Sequence, residues 1–360
     1  MGQIQWVRYI ARINLPPPIF GYSHPGLVNL CGRTIHKNLP LLLKHSATLS
    51  YTSWLRFPVK DLYHAIASYP TFISLEGSLM KPTAEAALDL FRSHFAGYLG
   101  DVELFERQEV THADFLTTEG VLLRPDETKP VYHMSSPLLD GYIRTFILPA
   151  KFSRTPSIAP PTQTKNNEAT LHVLEVLKES LRYFDKDTIR LAVSRSYKTA
   201  LVKVGGLSHA SVPRESVYDT ELLGIISNWL RVSHGWSVTG QWHLRNPSDK
   251  HKYTDIVLKK DKHSTIVLEL LATENQAFIR SHIEKTPEYQ SLLAAEEAWV
   301  VHFTCQDDFR PIWQSDTDLN KGVNVVHFSH DTDFTRVRMN ARFKDTVGNV
   351  KHITDELLAI

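Results

Sequence analysis

The stretch STIVLELLATE, residues 264–274, places one carboxylate in the middle of an apolar run. Ile266, Val267 and Leu268 lead into Glu269, and Leu270, Leu271 and Ala272 follow it. Short runs rich in branched aliphatics read as strands buried on both faces. A glutamate inside such a strand is costly unless a cation or a hydrogen-bond partner meets it. Either a metal ion or a paired lysine or arginine would answer that need, and the two answers imply different functions.

Working outward, the segment before it, HKYTDIVLKKDKHST, supports a hairpin with a turn at DKH. WSVTGQWHL reads as a further strand, and ESVYDTELLGIISNWLRVSHG as a helix with an apolar stripe at Tyr218, Leu222, Ile225 and Trp229. The last third is therefore helix–strand–strand–strand–helix–strand. Alternation puts Asp255 on one face with Val257, and Glu269 on one face with Val267 and Leu271. With strands about 4.8 Å apart, Asp255 and Glu269 meet if the register permits. Glu221 borders the buried face of the helix. Three converging carboxylates suit Mg²⁺ or Mn²⁺, and the matching chemistry is phosphodiester hydrolysis.

Upstream the chain is mostly helical. HPGLVNLCGRTIHKNLPLLLKHS, DLYHAIASYP and PTAEAALDLFRSHFAGYLG carry helical spacing, with Pro82 opening the third pattern and Gly100 closing it. THADFLTTEGVLLRPDETKPVYHMSSPLLDGYIRTFIL reads as helix, hairpin, helix, with strands at VLL and VYHM. That is either a winged-helix-like module or a helical domain with a surface hairpin, and it holds no Arg/Lys-rich recognition helix. SRTPSIAPPTQTKNN, residues 153–167, has the composition of a linker. The expected divisions are 1–78, 79–152, the linker 153–167, a helical connector 168–204, and an α/β domain over 205–360.

At 360 residues with 42% hydrophobic and 22% charged side chains, the chain has the composition of a soluble globular protein. A net charge of +1 gives no global sign of a polyanionic partner. Cys31 and Cys305 stand far apart with no CxxC, which points to a reduced intracellular protein without structural zinc. No signal peptide and no run of 18 apolar residues is present, so no membrane partner is expected.

The blocks VPRESVYDTEL, TGQWHL, DIVLKK, VLELLA, SHIEKTPEY and AWVVHF, continuing through GVNVVHFSHDTDFTRVRMNARF, closely resemble the C-terminal region of Crinkler-type proteins. These are effector-like proteins of oomycetes and fungi. The resemblance covers roughly residues 205–355 and implies a restriction-endonuclease-like (PD-(D/E)xK) domain. It implies DNA as partner, Mg²⁺ or Mn²⁺ as cofactor, and Glu221, Asp255 and Glu269 as metal-site and catalytic residues, with Glu215 a second candidate for the helix carboxylate. Family members are secreted into host cells, and a nuclear site of action is expected.

The N-terminal part resembles what precedes that region: HPGLVNLCG looks like the start of an AAA-type ATPase lid, a candidate docking region for a protein partner, and a winged-helix-like segment follows. No GxxxxGK[ST] loop is present, so no ATP site is carried over and the chain looks like a shortened member. A further departure is Leu271, where the nuclease pattern has a lysine that orients water and offsets negative charge. Lys259 lies four residues along the strand from Asp255, roughly 13 Å away by strand rise. Lys285, just ahead of the next helix PEYQSLLAA, and Tyr289 and Gln290 on that helix are the remaining candidates to line the site, Lys285 as the catalytic cation. The alternative reading is a catalytically degenerate nuclease fold that binds nucleic acid or protein.

Two further clusters stand out. In TRVRMNARFK, Arg336, Arg338 and Arg342 share a strand face with Asn340 and Lys344; they either track a phosphate backbone or form the solvated face of an edge strand. HFSHDTD groups His327, His330, Asp331 and Asp333, which suggests either metal ligands or ordinary hydrogen-bonded side chains.

Overall fold

A computed structural model describes Arg33 and residues 58–165, 168–196, 198–232, 235–245, 251–260 and 265–360. Most of the lid-like region expected over 1–78 lies outside the described residues. The chain divides into two compact units, Met1–Leu90 with Gly97–Tyr142, and Phe91–Ala96 with Ile143–Ile360.

The smaller unit contains α1 (Pro58–Ala67), α2 (Pro70–Leu79), α3 (Glu85–Leu90), β1 (Val102–Glu103), α4 (Arg107–Thr118), β2 (Leu122–Leu123), β3 (Val131–Met134) and α5 (Pro137–Tyr142). Pro70 stands at the first position of α2, where a missing N–H leaves nothing unsatisfied. The expected hairpin pairs Leu122 with Met134 and Leu123 with His133. β1 adds a third strand beside β3, through Val102 opposite Tyr132. Two residues carry no readable alternation, so this strand has no signature in the sequence. Leu79, Leu88, Leu116 and Tyr132 are fully buried.

The larger unit contains α6 (Leu148–Lys151), β4 (Thr162–Lys165), β5 (Glu168–Leu171), α7 (Val173–Leu181), α8 (Lys186–Arg195), α9 (Glu215–Ile226), β6 (Ser237–Arg245), β7 (His251–Lys259), β8 (Ile266–Leu271), α10 (Gln276–Leu292), β9 (Glu297–Thr304), α11 (Asp316–Asn320), β10 (Val323–His330), β11 (Val337–Lys344) and β12 (Val350–Leu358). Seven strands form one mixed sheet in the order β12-β11-β10-β9-β8-β7-β6. β8, β9 and β10 are parallel neighbours. Parallel neighbours need crossovers, which α10 and α11 supply. The remaining pairs are antiparallel. Central position explains why all six residues of β8 are buried. The helix–three-strand–helix–strand order expected from the sequence is the order observed from α9 to β9.

Over its described residues, 153–165, the expected linker is tied into the larger unit. β4 pairs along its length with β5, and the Trp229 indole N–H donates to the Ile158 carbonyl at 2.8 Å. Leu174, Leu177 and Leu181 of α7 and Ile189 of α8 share the core of Ile256, Leu268 and Phe328. The expected connector is therefore part of the sheet domain: its polar lead-in reads as a linker, but the apolar face of α7 requires the sheet. No helix among the described residues is long and apolar enough to cross a membrane.

Candidate active site

α9 begins at Glu215, whose backbone position in the first turn suits a negative charge. Asp219 follows one turn later and shares that side of the helix. β7 and β8 are paired only at Leu258–Ile266, Val257–Val267 and Ile256–Leu268. Beyond that point the ladder stops, and the Leu270 N–H donates to Asp255 Oδ2 at 2.7 Å. The two strands thus separate at their acidic residues, and a side chain replaces a backbone acceptor. Glu269, 3% exposed, stands beside this opening. Its Oε1 has no hydrogen-bond partner.

The neighbours on that face come from α10. Val257 packs with Tyr289, and Leu271 with Ile279 and Ile283. By strand alternation Asp255 and Glu269 face the same way. Burial, with Glu269 next in effect, pushes the Tyr289 phenol up to about 12. Gln290, by contrast, donates to the carbonyls of Lys321 and Glu296 and is a structural tie.

Four carboxylates act on one another here. Burial, then Glu215, Glu269 and Asp219, raise Asp255 well above the usual carboxylate range. Burial raises Glu269 to about 8 against the lowering effect of the Thr254 hydroxyl, with Glu215 and Asp219 adding to the rise. Burial and Asp219 raise Glu215 to about 7, against the pull of Lys198. Protons leave such a set as a set. Asp219 is ion-paired to the buried Arg144. Lys198 holds its Nζ 2.9 Å from Glu274 Oε1. Sequence reasoning missed Asp219 and Lys198; the four-residue spacing from Glu215 was the readable signal for the first.

Glu221 belongs elsewhere. It pairs with Arg92 and accepts the Asp185 backbone N–H at 2.9 Å. Six residues from Glu215, it lies on another side of the helix, and of the two Glu215 is the helix carboxylate that acts on both Asp255 and Glu269. Lys285 is exposed and bears on His282, whose pKa is lowered first by burial and then by that charge. Leu271 is fully buried among apolar side chains.

The arginine row is broken up. β11 lies between β10 and β12 and is not an edge strand. Arg342 bonds Gln314 O and Asp316, Arg336 lies 3.6 Å from Asp331, and Arg338 is exposed opposite Leu357. The histidines of HFSHDTD are core side chains. His327 bonds Ile312 O at 2.8 Å and His302 at 3.0 Å, and His330 bonds Tyr218 Oη at 2.8 Å and Asp331 O at 2.7 Å.

The donor chemistry of Glu215, Asp255 and Glu269 fits a hard divalent cation: oxygen ligands, an unpartnered buried oxygen on Glu269, and mutual repulsion that a cation would relieve. Among the described residues, no three His, Cys, Asp or Glu side chains are gathered about one point as metal ligands.

No family model matches the chain, and no curated protein does. Among solved structures, the chain is similar to Can2 from Sulfobacillus thermosulfidooxidans in complex with cyclic tetra-adenylate, at 10% identity and a TM-score of 0.22 over 73% of this chain. It spans 55% of that Can2 chain. It is also similar to a chain of the Thermococcus gammatolerans assembly of McrB AAA+ hexamers with bound McrC. That match has 11% identity and a TM-score of 0.23, over 86% of this chain and 73% of that one. Likenesses this weak do not define a shared fold.

Proposed function

We propose that the larger unit is a restriction-endonuclease-like domain that hydrolyses phosphodiester bonds of DNA at the Glu215, Asp255 and Glu269 site. The observation that carries this reading is the opening between β7 and β8, where the half-buried Asp255 and the buried Glu269 repel one another and Glu269 Oε1 is unpartnered. The order of elements around the site and the resemblance to Crinkler-type C-terminal regions support it. Glu215, Asp255 and Glu269 would hold Mg²⁺ or Mn²⁺, which would supply an activated water and a counter-charge for the phosphate oxygens. Asp255 stays oriented by the Leu270 N–H, Asp219 is held on Arg144 beside Glu215, and the apolar residues behind Glu269 exclude bulk water and strengthen each charge.

One observation favours a second reading. Leu271 offers no cation on the Glu269 face, as expected of a nuclease fold retained for binding. Plasmid and single-stranded DNA incubated with the protein in Mg²⁺ or Mn²⁺ decide between them, beside Asp255→Ala and Glu269→Ala. Cleavage by the wild type alone, with a metal-dependent rise in its Tm, is the expected result. DNA retained but uncut by all three proteins sinks hydrolysis and leaves the binding module. Equal cleavage by all three removes the site altogether.

A further inference from the structure

Between Thr188 and Arg214 the chain contains no Asp or Glu, but it contains Arg190, Arg195, Lys198, Lys203 and Arg214. The centre of this acid-free stretch folds into a small hairpin. Thr199 bridges Ser211 and Val204 bridges Leu207, and Ala200 N–H donates to Ala210 O at 2.9 Å. Gly205 and Gly206 form its tip with φ of 58° and 78°, the two left-handed positions that a tight two-residue turn requires.

Both tip N–H groups donate to Asp307, at 3.0 and 2.7 Å, so the hairpin is clamped to the end of β9. Ala200, Val204 and Val212 pack inward on Cys305. The outward side is different. Leu201 is 68% and Leu207 66% exposed, with Lys203 and His209 exposed beside them.

The hairpin's base lies next to the carboxylate site, where the Lys198 charge bears on Glu215. Val212 N–H donates to Lys198 O at 3.1 Å, three residues before Glu215. Lys198 Nζ reaches Glu274, five residues after Glu269. The hairpin therefore rises between the start of α9 and the end of β8.

We propose that this hairpin is the nucleic-acid contact element of the carboxylate site, with Lys203 on a backbone phosphate and Leu201 and Leu207 against sugar or base faces. The proposal takes its choice of ligand from the nucleolytic reading above. Four acids alone would repel a phosphodiester, and the exposed Lys203, on a hairpin rooted beside them, supplies a counter-charge. Apolar side chains at such a tip suit partly unstacked bases. Asp307 is occupied by backbone N–H groups, and the exposed Asp308 is followed by the exposed Arg310.

The test is fluorescence anisotropy with a labelled oligonucleotide of about 20 nucleotides, single-stranded and duplex, in EDTA so that cleavage plays no part. Full-length wild type is compared with Lys203→Ala, Leu207→Ser and, as a charge-matched control, Lys351→Ala on β12. Lys203→Ala should weaken binding roughly five- to tenfold at about 0.1 M salt and reduce the salt slope by about one. Leu207→Ser should weaken it with no change in slope, and Lys351→Ala should bind as wild type. No binding by the wild type, Lys203→Ala bound as tightly as wild type, or equal losses in Lys203→Ala and Lys351→Ala each overturn the proposal. If Lys203→Ala loses binding but the wild type never cuts, the hairpin stands and the hydrolytic reading falls. If the wild type cuts and Lys203→Ala binds normally, the site stands and the hairpin falls.

Discussion

Glu221 and Glu215 stand six residues apart on α9 and have opposite surroundings. Glu221 has a guanidinium on one oxygen and a backbone N–H on the other, and Arg92 extends that network to Asp185 and lies over the Phe152 ring. Glu215 faces Asp219, Asp255 and Glu269, and its pKa rises. A buried acid with its own cation holds the fold together. Buried acids turned toward one another destabilise it, and the fold retains them for another reason.

The largest break in this contrast is at the paired end. Arg92→Ala leaves the buried Glu221 without its cation, while the half-buried Asp185 keeps Arg154 at 2.9 Å. The expected loss is about 3–5 kcal/mol, the usual result of removing one partner of a buried ion pair. Urea unfolding followed by fluorescence checks it, as a lower midpoint at unchanged slope. An unchanged midpoint would mean that the network is ornamental.

At the unpaired end the sign reverses. Glu269 holds its proton up to about 8 in the folded chain but to about 4.5 when unfolded. Between those pH values the folded state binds more protons, so stability is greatest below about 4.5 and falls as pH rises through 8. Glu269→Gln removes that penalty. In EDTA at pH 8.5 it should melt higher than wild type, by about 5 °C, and the two should converge near pH 5, as read by thermal melts across pH. The buried histidines add a separate loss of stability on the acid side, because burial lowers His327 and His330 to about 4, and that loss is common to both proteins. A variant less stable than wild type at pH 8.5 would place an undetected cation on Glu269.

This contrast also separates what the sequence discloses from what it hides. The strand at 266–271, its neighbours and the helix at 215–226 follow from apolar periodicity, because central strands and amphipathic helices write their burial into composition. Asp255 and Glu269 are legible for the same reason: each interrupts an apolar pattern. The choice between Glu215 and Glu221 is not, since both flank the stripe of α9 and only Arg92, 129 residues upstream of Glu221, distinguishes them. Likewise TRVRMNARFK alternates as an exposed strand should, yet Arg336 lies against Asp331 in the preceding turn and Arg342 against Asp316 at the start of α11. Pattern reads the local chain, whereas charge pairing is settled by tertiary contacts.

The smallest effect sharpens the comparison most, because it compares like with like on one helix. Glu215→Gln removes a negative charge that raises both Asp255 and Glu269. Those carboxyls should then titrate lower, and the fall in stability on the alkaline side should shift toward lower pH and shrink. Glu221→Gln makes the same chemical change but lies outside the set, so it should lower stability by a similar amount at every pH between 5 and 8.5, leaving the shape of the profile intact. Parallel melting curves across pH separate a change of shape from a change of height. If Glu221→Gln alters the shape and Glu215→Gln only the height, the two ends of α9 have been assigned the wrong way round.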